Sequence, residues 1–481
     1  MSKSISRREF LGTAAAGGAV LAGGLGGRVL MAADREGWPR MQPVKIHKVY
    51  VGSGGQAWPK PEFDVKAEVA RFDKHLEALQ GRLGDVEFVG GEVVHSAAQA
   101  DKVIARLPEA GGVLMIHLSL GTGGLLARIV NAGKPTVVFS QPFSGHEWMY
   151  VPQWRKAGKK VVLVAASDYA DMDAAVALLR VPARLRHTRL LLVGGAAGTG
   201  AARSAKKVKE LLGVEVVPVS VQQVVEAHKA VDAKVAEAEA ERSWIRPAKK
   251  IVEPNKAEIV KSARMYLAMR KLLADRKAQA ITIRCLGGIP IGTLGYPCLG
   301  FSKLCDEGLV GACEADMDST LTMLIFAYAF GTPGFISDPL FDTSKNALIH
   351  AHCTAPTRMD APGGKRAPFL VRTHRDDNRG ASLEVQMRVG QPVTCAKLAN
   401  LTTMLISTGK ITEITDFDDR GCRTQITTEV RDAHKMLANW GGGVLPNDMM
   451  ALLHRVVFYG DHLRGVKDLA ALMGLKVVEE G

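Results

Sequence analysis

Few aromatic side chains, widely spaced cysteines and no strong apolar run set the first limits on this 481-residue chain. Aromatics make up 6% of it, which leaves no evident row of rings for stacking single-stranded bases. Lys and Arg outnumber Asp and Glu by 62 to 49 but are scattered, so the net charge of +13 is a diffuse excess. Such an excess does not point to nucleic acid. Seven cysteines, an odd number, do not describe a disulfide framework. Five of them fall between Cys285 and Cys353, and none of their steps is the gap of about two to four residues that presents two thiolates to zinc. They read as small buried residues. A dinucleotide fingerprint is missing as well. Gly52-Ser-Gly-Gly and the loop from Gly194 to Gly200 do not match G-x-G-x-x-G, and no acidic residue follows where a ribose needs one, so both read as tight turns.

The N-terminus does carry a signal. Ser6-Arg7-Arg8-Glu9-Phe10-Leu11 precedes a glycine- and alanine-rich run from Gly12 to Gly27, too poor in large side chains for a stable membrane span. A twin arginine, a polar position and Phe-Leu resemble the leader of the twin-arginine export route. Residues 1–33 are therefore expected to be a signal peptide, and the protein to be periplasmic or otherwise extracytoplasmic.

From Val44, short β-branched runs alternate with helical periodicities, as in a parallel sheet covered on both faces. Strands are expected at Val44–Val51, Val86–Val89, Gly112–Leu118, Thr136–Ser140 and Lys160–Ala165. A second round starts near Thr188, with long polar helices over Val221–Ser243 and Lys256–Ala274 and a buried strand at Ala280–Cys285. From about Pro368 the chain turns to short alternating strands, including Met404–Thr408 and Ile411–Phe417, which imply an antiparallel sheet or small barrel. The expected fold class is α/β, with two doubly wound parallel-sheet domains (44–185 and 186–355) followed by a β-rich, barrel-like C-terminal domain (356–481).

The chemistry concentrates between Cys285 and His352. Glu314 stands just before a helix-like run, and Asp338 follows the strand-like Gly334–Ser337, flanked by Pro333 and Pro339. Ligands collect at the carboxyl ends of parallel strands. Two carboxylates brought to one sheet edge suit a hard divalent cation or an acid–base pair acting on a polyol. Helix capping or a buried ion pair accounts for either carboxylate taken alone.

Pro297 to Gly308 (PCLGFSKLCDEG), Ala312-Cys-Glu-Ala-Asp316, Ser337-Asp-Pro339 and His352-Cys-Thr354 together resemble the L-fucose and L-arabinose isomerase superfamily. Cys422-Arg-Thr-Gln425 and the run from His454 to His462 look like its C-terminal motifs. The likeness covers Val44 to the C-terminus and is most specific over 281–356 and 420–475. It implies a Mn²⁺-dependent (or Mg²⁺- or other divalent-cation-dependent) isomerase that interconverts an aldose and a ketose through a cis-enediol. Glu314 and Asp338 match the family's acid–base, metal-binding carboxylates, and His454 its histidine ligand. His352 is a further ligand or substrate contact. Asp316, Cys353 and Arg423 fit supporting positions, while His350 and His462 read as surface or structural residues. The partner implied is a small sugar, a pentose or deoxyhexose, and the assembly a homo-oligomer, trimer or hexamer. Two rivals are an exported sugar-binding protein and an exported NAD(P)-dependent sugar oxidoreductase. The chain is shorter than fucose isomerase proper, and the family is ordinarily cytoplasmic.

Overall fold

Buried β-branched runs separated by helices give two parallel sheets and a closed antiparallel barrel in the computed structural model, which describes residues 41–55, 58–415 and 421–481. The expected export leader lies outside the described residues. The first sheet contains β1 (Val44–Val51), β2 (Val86–Val94), β3 (Gly112–His117), β4 (Thr136–Ser140) and β5 (Val161–Ala165), all parallel in the order β2-β1-β3-β4-β5. Ile46, Leu114, Ile116 and Val137 pack with Phe72 and Leu76 of the helix Val65–Leu83. Val49, Met115 and Val138 face Ala100, Val103 and Ile129 on the other side. Helices therefore cover both faces, and the strands read as continuous apolar runs for that reason.

In the next segment β6 (Arg189–Val193), β7 (Glu215–Val219), β9 (Ala280–Ile283) and β10 (Val310–Ala312) form a parallel sheet in the order β10-β9-β6-β7. Between them β8 (Lys250–Ile251) leaves to pair with β13 (Phe369–His374), which also pairs with β14 (Arg379–Val385). The single helix expected over Val221–Ser243 is divided into Val221–Lys229 and Ala233–Ala240. Asp232 is the cause. Its side chain accepts the Val235 N–H at 3.0 Å and opens a new helix where the old one would have continued.

The barrel is built from β11 (Phe335–Asp342), β12 (Ala347–His352), β15 (Pro392–Ala399), β16 (Thr403–Ile414), β17 (Thr424–Glu429) and β18 (Arg455–Tyr459). Neighbours run antiparallel in the order β15-β18-β11-β12-β17-β16, and β16 pairs back onto β15 to close six strands. A last strand, β19 (Lys476–Glu479), lies parallel to β16. Two strands expected at Met404–Thr408 and Ile411–Phe417 are one continuous strand through Ile414, with an irregular register near Ile411. Gly409 marks a close approach and not a turn, since a Cβ there would stand 2.0 Å from the Glu429 carbonyl oxygen. Asp338 sits within β11, not after a strand.

The helix Met317–Phe330 joins β10 to β11 and is buried along nearly its whole length, with apolar side chains on every face after its polar first turns. Phe326 stacks on Phe458 of β18 at 3.8 Å between ring centroids, and Thr322 Oγ1 accepts the Leu398 N–H of β15 at 2.8 Å. This helix ties the second sheet to the barrel, and the candidate site forms at its N-terminus. Among the described residues no helix is long and apolar enough to cross a membrane.

Candidate active site

Past the end of β10 the backbone turns sharply. Glu314 and Ala315 both take left-handed conformations (φ +59° and +54°), rare for residues with a Cβ and costing about 1–3 kcal/mol each. Hydrogen bonds from two sides hold the turn. Ala315 N–H donates to the Ile283 carbonyl at 3.0 Å, Ala197 N–H to the Ala315 carbonyl at 3.0 Å, and Met317 N–H to the Ala197 carbonyl at 3.1 Å. The glycine-rich loop after β6 is thus a clamp on the turn that carries Glu314. Its Thr199 gives N–H and hydroxyl to Asp318 at 2.6 and 2.7 Å. Gly198 (φ +102°) has no room for a side chain, because a Cβ would meet Asp318 Oδ2 at 2.3 Å. These contacts use the loop's own donors for structure, in keeping with its reading as a turn.

Asp316 begins the central helix and does three jobs at once. Oδ1 accepts the Ser319 N–H at 3.0 Å as the helix N-cap. Oδ2 accepts from Lys397 Nζ at 2.9 Å and from His454 Nδ1 at 2.8 Å. Burial pushes the Asp316 carboxyl up, but Lys397 and His454 outweigh it and hold it well below the usual carboxylate range. With Nδ1–H committed to Asp316, the lone pair of a neutral His454 lies on Nε2.

That nitrogen faces the two carboxylates read from the sequence. Asp338 Oδ1 lies 3.1 Å from His454 Nε2, and Glu314 Oε2 lies 3.6 Å from it. Ser337 of β11 opposes Arg455 of β18, so Asp338 comes level with His454 just ahead of that strand. His352, at the end of β12, completes the group. Its Nε2 is 3.7 Å from Glu314 Oε1, and its ring centroid is 5.6 Å from that of His454. Glu314, Asp338, His352 and His454 therefore converge, although they are separated by up to 140 residues in the chain.

The unfilled hydrogen-bonding capacity is specific. Nε2 of both His352 and His454 is buried without a hydrogen bond of good geometry. Burial pulls His454 down, but Asp316 and Asp338 outweigh it and push it up to about 9. Burial likewise acts against charging His352, while Glu314 and Asp338 raise it. Glu314 is lowered, first by the nearby His352 ring, and Asp338 is lowered by both histidines against the effect of burial. Three carboxylates face one buried lysine and two imidazoles, so the cluster carries an excess of negative charge whenever the imidazoles are neutral. Atoms of Asp338, His352 and His454 lie within 4.8 Å of one another, as do atoms of Cys313, Glu314 and His352. An oxygen and nitrogen donor set of this kind fits a first-row divalent cation such as Mn²⁺. The two histidines differ in one respect. His352 Nδ1 accepts the Cys353 N–H at 2.9 Å, which leaves the proton of the neutral ring on Nε2, pointing at Glu314.

The remaining sequence candidates separate clearly. Asp316 supports His454 directly, and Cys353 positions His352 through its N–H. The Arg423 side chain is buried and donates to the carbonyl and hydroxyl of Thr373 at 2.7 and 2.8 Å. His350 is held between Ser337 Oγ and Thr428 Oγ1, and burial pushes it down to about 3. His462 stacks on Phe330 at 4.3 Å. Lys397 escaped the sequence reading. The one signal for it was a lone charge in the otherwise uncharged strand Pro392–Ala399.

Comparison with known proteins gives a distant match. Over 248 residues the chain is 22% identical to proteins named sulfoquinovose isomerase from Priestia aryabhattai and Priestia megaterium, covering 49% of this chain and 53% of each relative. A protein of the same name from Alkalicoccus urumqiensis is 27% identical over 137 residues, 28% of this chain and 30% of that protein. The chain thus spans about half the length of the Priestia relatives it matches. No protein-family model matches the chain.

Proposed function

We propose that this protein is a divalent-metal-dependent aldose–ketose isomerase. The observation that carries the proposal is the meeting of Glu314 Oε2 and Asp338 Oδ1 at His454 Nε2, with that ring fixed from behind by Asp316. In this reading Glu314, Asp338 and His454 would hold Mn²⁺ or a similar cation, and His352, whose Nδ1 is taken by the Cys353 N–H, touches the sugar through Nε2–H. The cation would polarise the sugar carbonyl and offset the negative charge that develops on the enediol oxygens. One carboxylate takes the proton from the carbon beside the carbonyl and returns it to its neighbour, and the other serves the hydroxyl proton. Glu314 and Asp338 suit these roles because both are partly open while their histidine partners are buried. Their lowered pKa values keep them ionised, and so in the proton-accepting form, at neutral pH.

The relatives' name brings a candidate substrate, sulfoquinovose, a hexose with a sulfonate in place of its terminal hydroxyl. The reaction changes only the first two carbons, so L-fucose and L-arabinose belong in the same trial. Export by the twin-arginine route and assembly as a trimer or hexamer are parts of the same proposal, resting on Arg7-Arg8 and on the motif resemblance. The test is incubation of metal-loaded protein with these three sugars and analysis for the matching ketose. Conversion of at least one supports the reading. Binding without conversion would favour a sugar-binding protein.

The supporting role of Asp316 gives a graded prediction. Asp316→Asn loses the charge that orients His454 and pairs Lys397, so affinity for Mn²⁺ is expected to fall by about 10- to 100-fold. Titration calorimetry measures this, with circular dichroism to establish that the variant is folded. An unchanged affinity would remove Asp316 from the site.

A further inference from the structure

The cysteines near the site are not evenly spread in space. All seven are free thiols and six are buried. Cys285 follows β9, and Cys313 follows β10, the strand beside it. Their sulfurs are 3.2 Å apart, across 28 residues of chain. Cys313 is also the residue immediately before Glu314, in the segment turned by the two left-handed residues. The Cys395 sulfur lies 3.7 Å from His350 Nε2, and that of Cys305 3.6 Å from the Gly311 carbonyl oxygen, neither of them beside another thiol.

From this arrangement we infer that Cys285 and Cys313 are a modification site, a dithiol that a two-electron oxidant closes to a disulfide across the ends of β9 and β10. The sulfurs must approach from 3.2 Å to about 2.05 Å, a movement that two side-chain rotations and slight backbone adjustment supply. With hydrogen peroxide as oxidant the atoms balance. One thiolate attacks a peroxide oxygen, the O–O bond breaks, and a sulfenic acid and water form once the leaving hydroxide is protonated. The second thiolate then attacks that sulfur, the S–S bond forms, the S–O bond breaks, and a second water leaves. Two electrons pass from the sulfurs to the peroxide. A small oxidant suits the location, since both thiols are buried but Glu314 beside them is partly open. The bond tethers the backbone that carries Glu314 to the adjacent strand, next to the existing hydrogen bond from Ala315 N–H to the Ile283 carbonyl.

The test uses the full chain, treated with peroxide, quenched, alkylated under denaturing conditions and digested without reductant. The expected product is a linked peptide pair containing Cys285 and Cys313, released by dithiothreitol, with Cys298, Cys305 and Cys395 alkylated. Oxidised protein should also melt at a higher temperature than reduced protein, because the link shortens the unfolded chain's freedom. In Cys285→Ser both the linked pair and the melting shift should be lost. Alkylation of both Cys285 and Cys313 after peroxide would overturn the inference, as would a link between Cys353 and Cys422 in their place. Wild-type mapping alone decides the outcome if the variant does not fold.

Discussion

Glu314→Gln is expected to lower turnover of any sugar the protein isomerises by about 10²- to 10⁴-fold, the usual contribution of a general acid–base group. The amide keeps the shape of the carboxylate but neither carries the charge nor accepts the proton. Its loss is felt at His352 and His454 together, because each of Glu314's two oxygens faces one imidazole. Cation affinity should fall with turnover, since one of the oxygen donors becomes neutral. Steady-state kinetics at saturating Mn²⁺, beside calorimetric titration, separate the two effects. A variant with weak cation binding but full turnover at high Mn²⁺ would make Glu314 a ligand only. A variant with full turnover and full affinity would remove it from the chemistry.

The largest expected loss of stability lies one residue from the site. Arg455 follows His454 and is 0% exposed, paired with Glu480, which is 1% exposed. Nε and Nη2 donate to the two Glu480 oxygens at 2.8 and 2.7 Å, and Nη1 donates to the Leu452 carbonyl at 2.6 Å. The guanidinium also lies 3.8 Å from the centre of the Trp440 ring. Removing one partner of such a pair leaves a buried charge uncompensated, so Glu480→Gln should cost about 3–5 kcal/mol. The same arithmetic predicts that the double change Arg455→Met with Glu480→Leu costs much less, because it leaves no charge to bury. Denaturant unfolding of the two variants beside the wild type checks both. A small effect of Glu480→Gln, under about 1 kcal/mol, would show that water or another group stabilises Arg455 without its partner.

The parallel sheets were readable because burial on both faces gives unbroken runs such as Val44–Val51 and Thr136–Ser140, whose bounds coincide with the strands found. The barrel was less legible. Phe335–Asp342 and Ala347–His352 belong to it through pairing with β18 and β17, and pairing partners that distant leave no periodic trace in the sequence. Motif resemblance, not pattern, picked out Glu314, Asp338 and His454. The structure brings the three together through the turn at Glu314, the register of β11 and β18, and the central helix. What the sequence could not reveal was the second partner of each group. Lys397 reaches Asp316 across 81 residues, and Cys285 reaches Cys313 across 28, because each pair stands on neighbouring elements that only the folded chain makes adjacent.

Exchange of carbon-bound hydrogen tests the central claim most directly. Metal-loaded protein would be incubated in D₂O with sulfoquinovose, L-fucose and L-arabinose, and recovered sugars examined by NMR. The account predicts ketose formation from at least one aldose, with deuterium entering C2 of the aldose or C1 of the ketose, in wild type and not in Glu314→Gln. Full cation occupancy with no conversion and no exchange on any of the three sugars would contradict it. Equal conversion by wild type and Glu314→Gln would contradict it too.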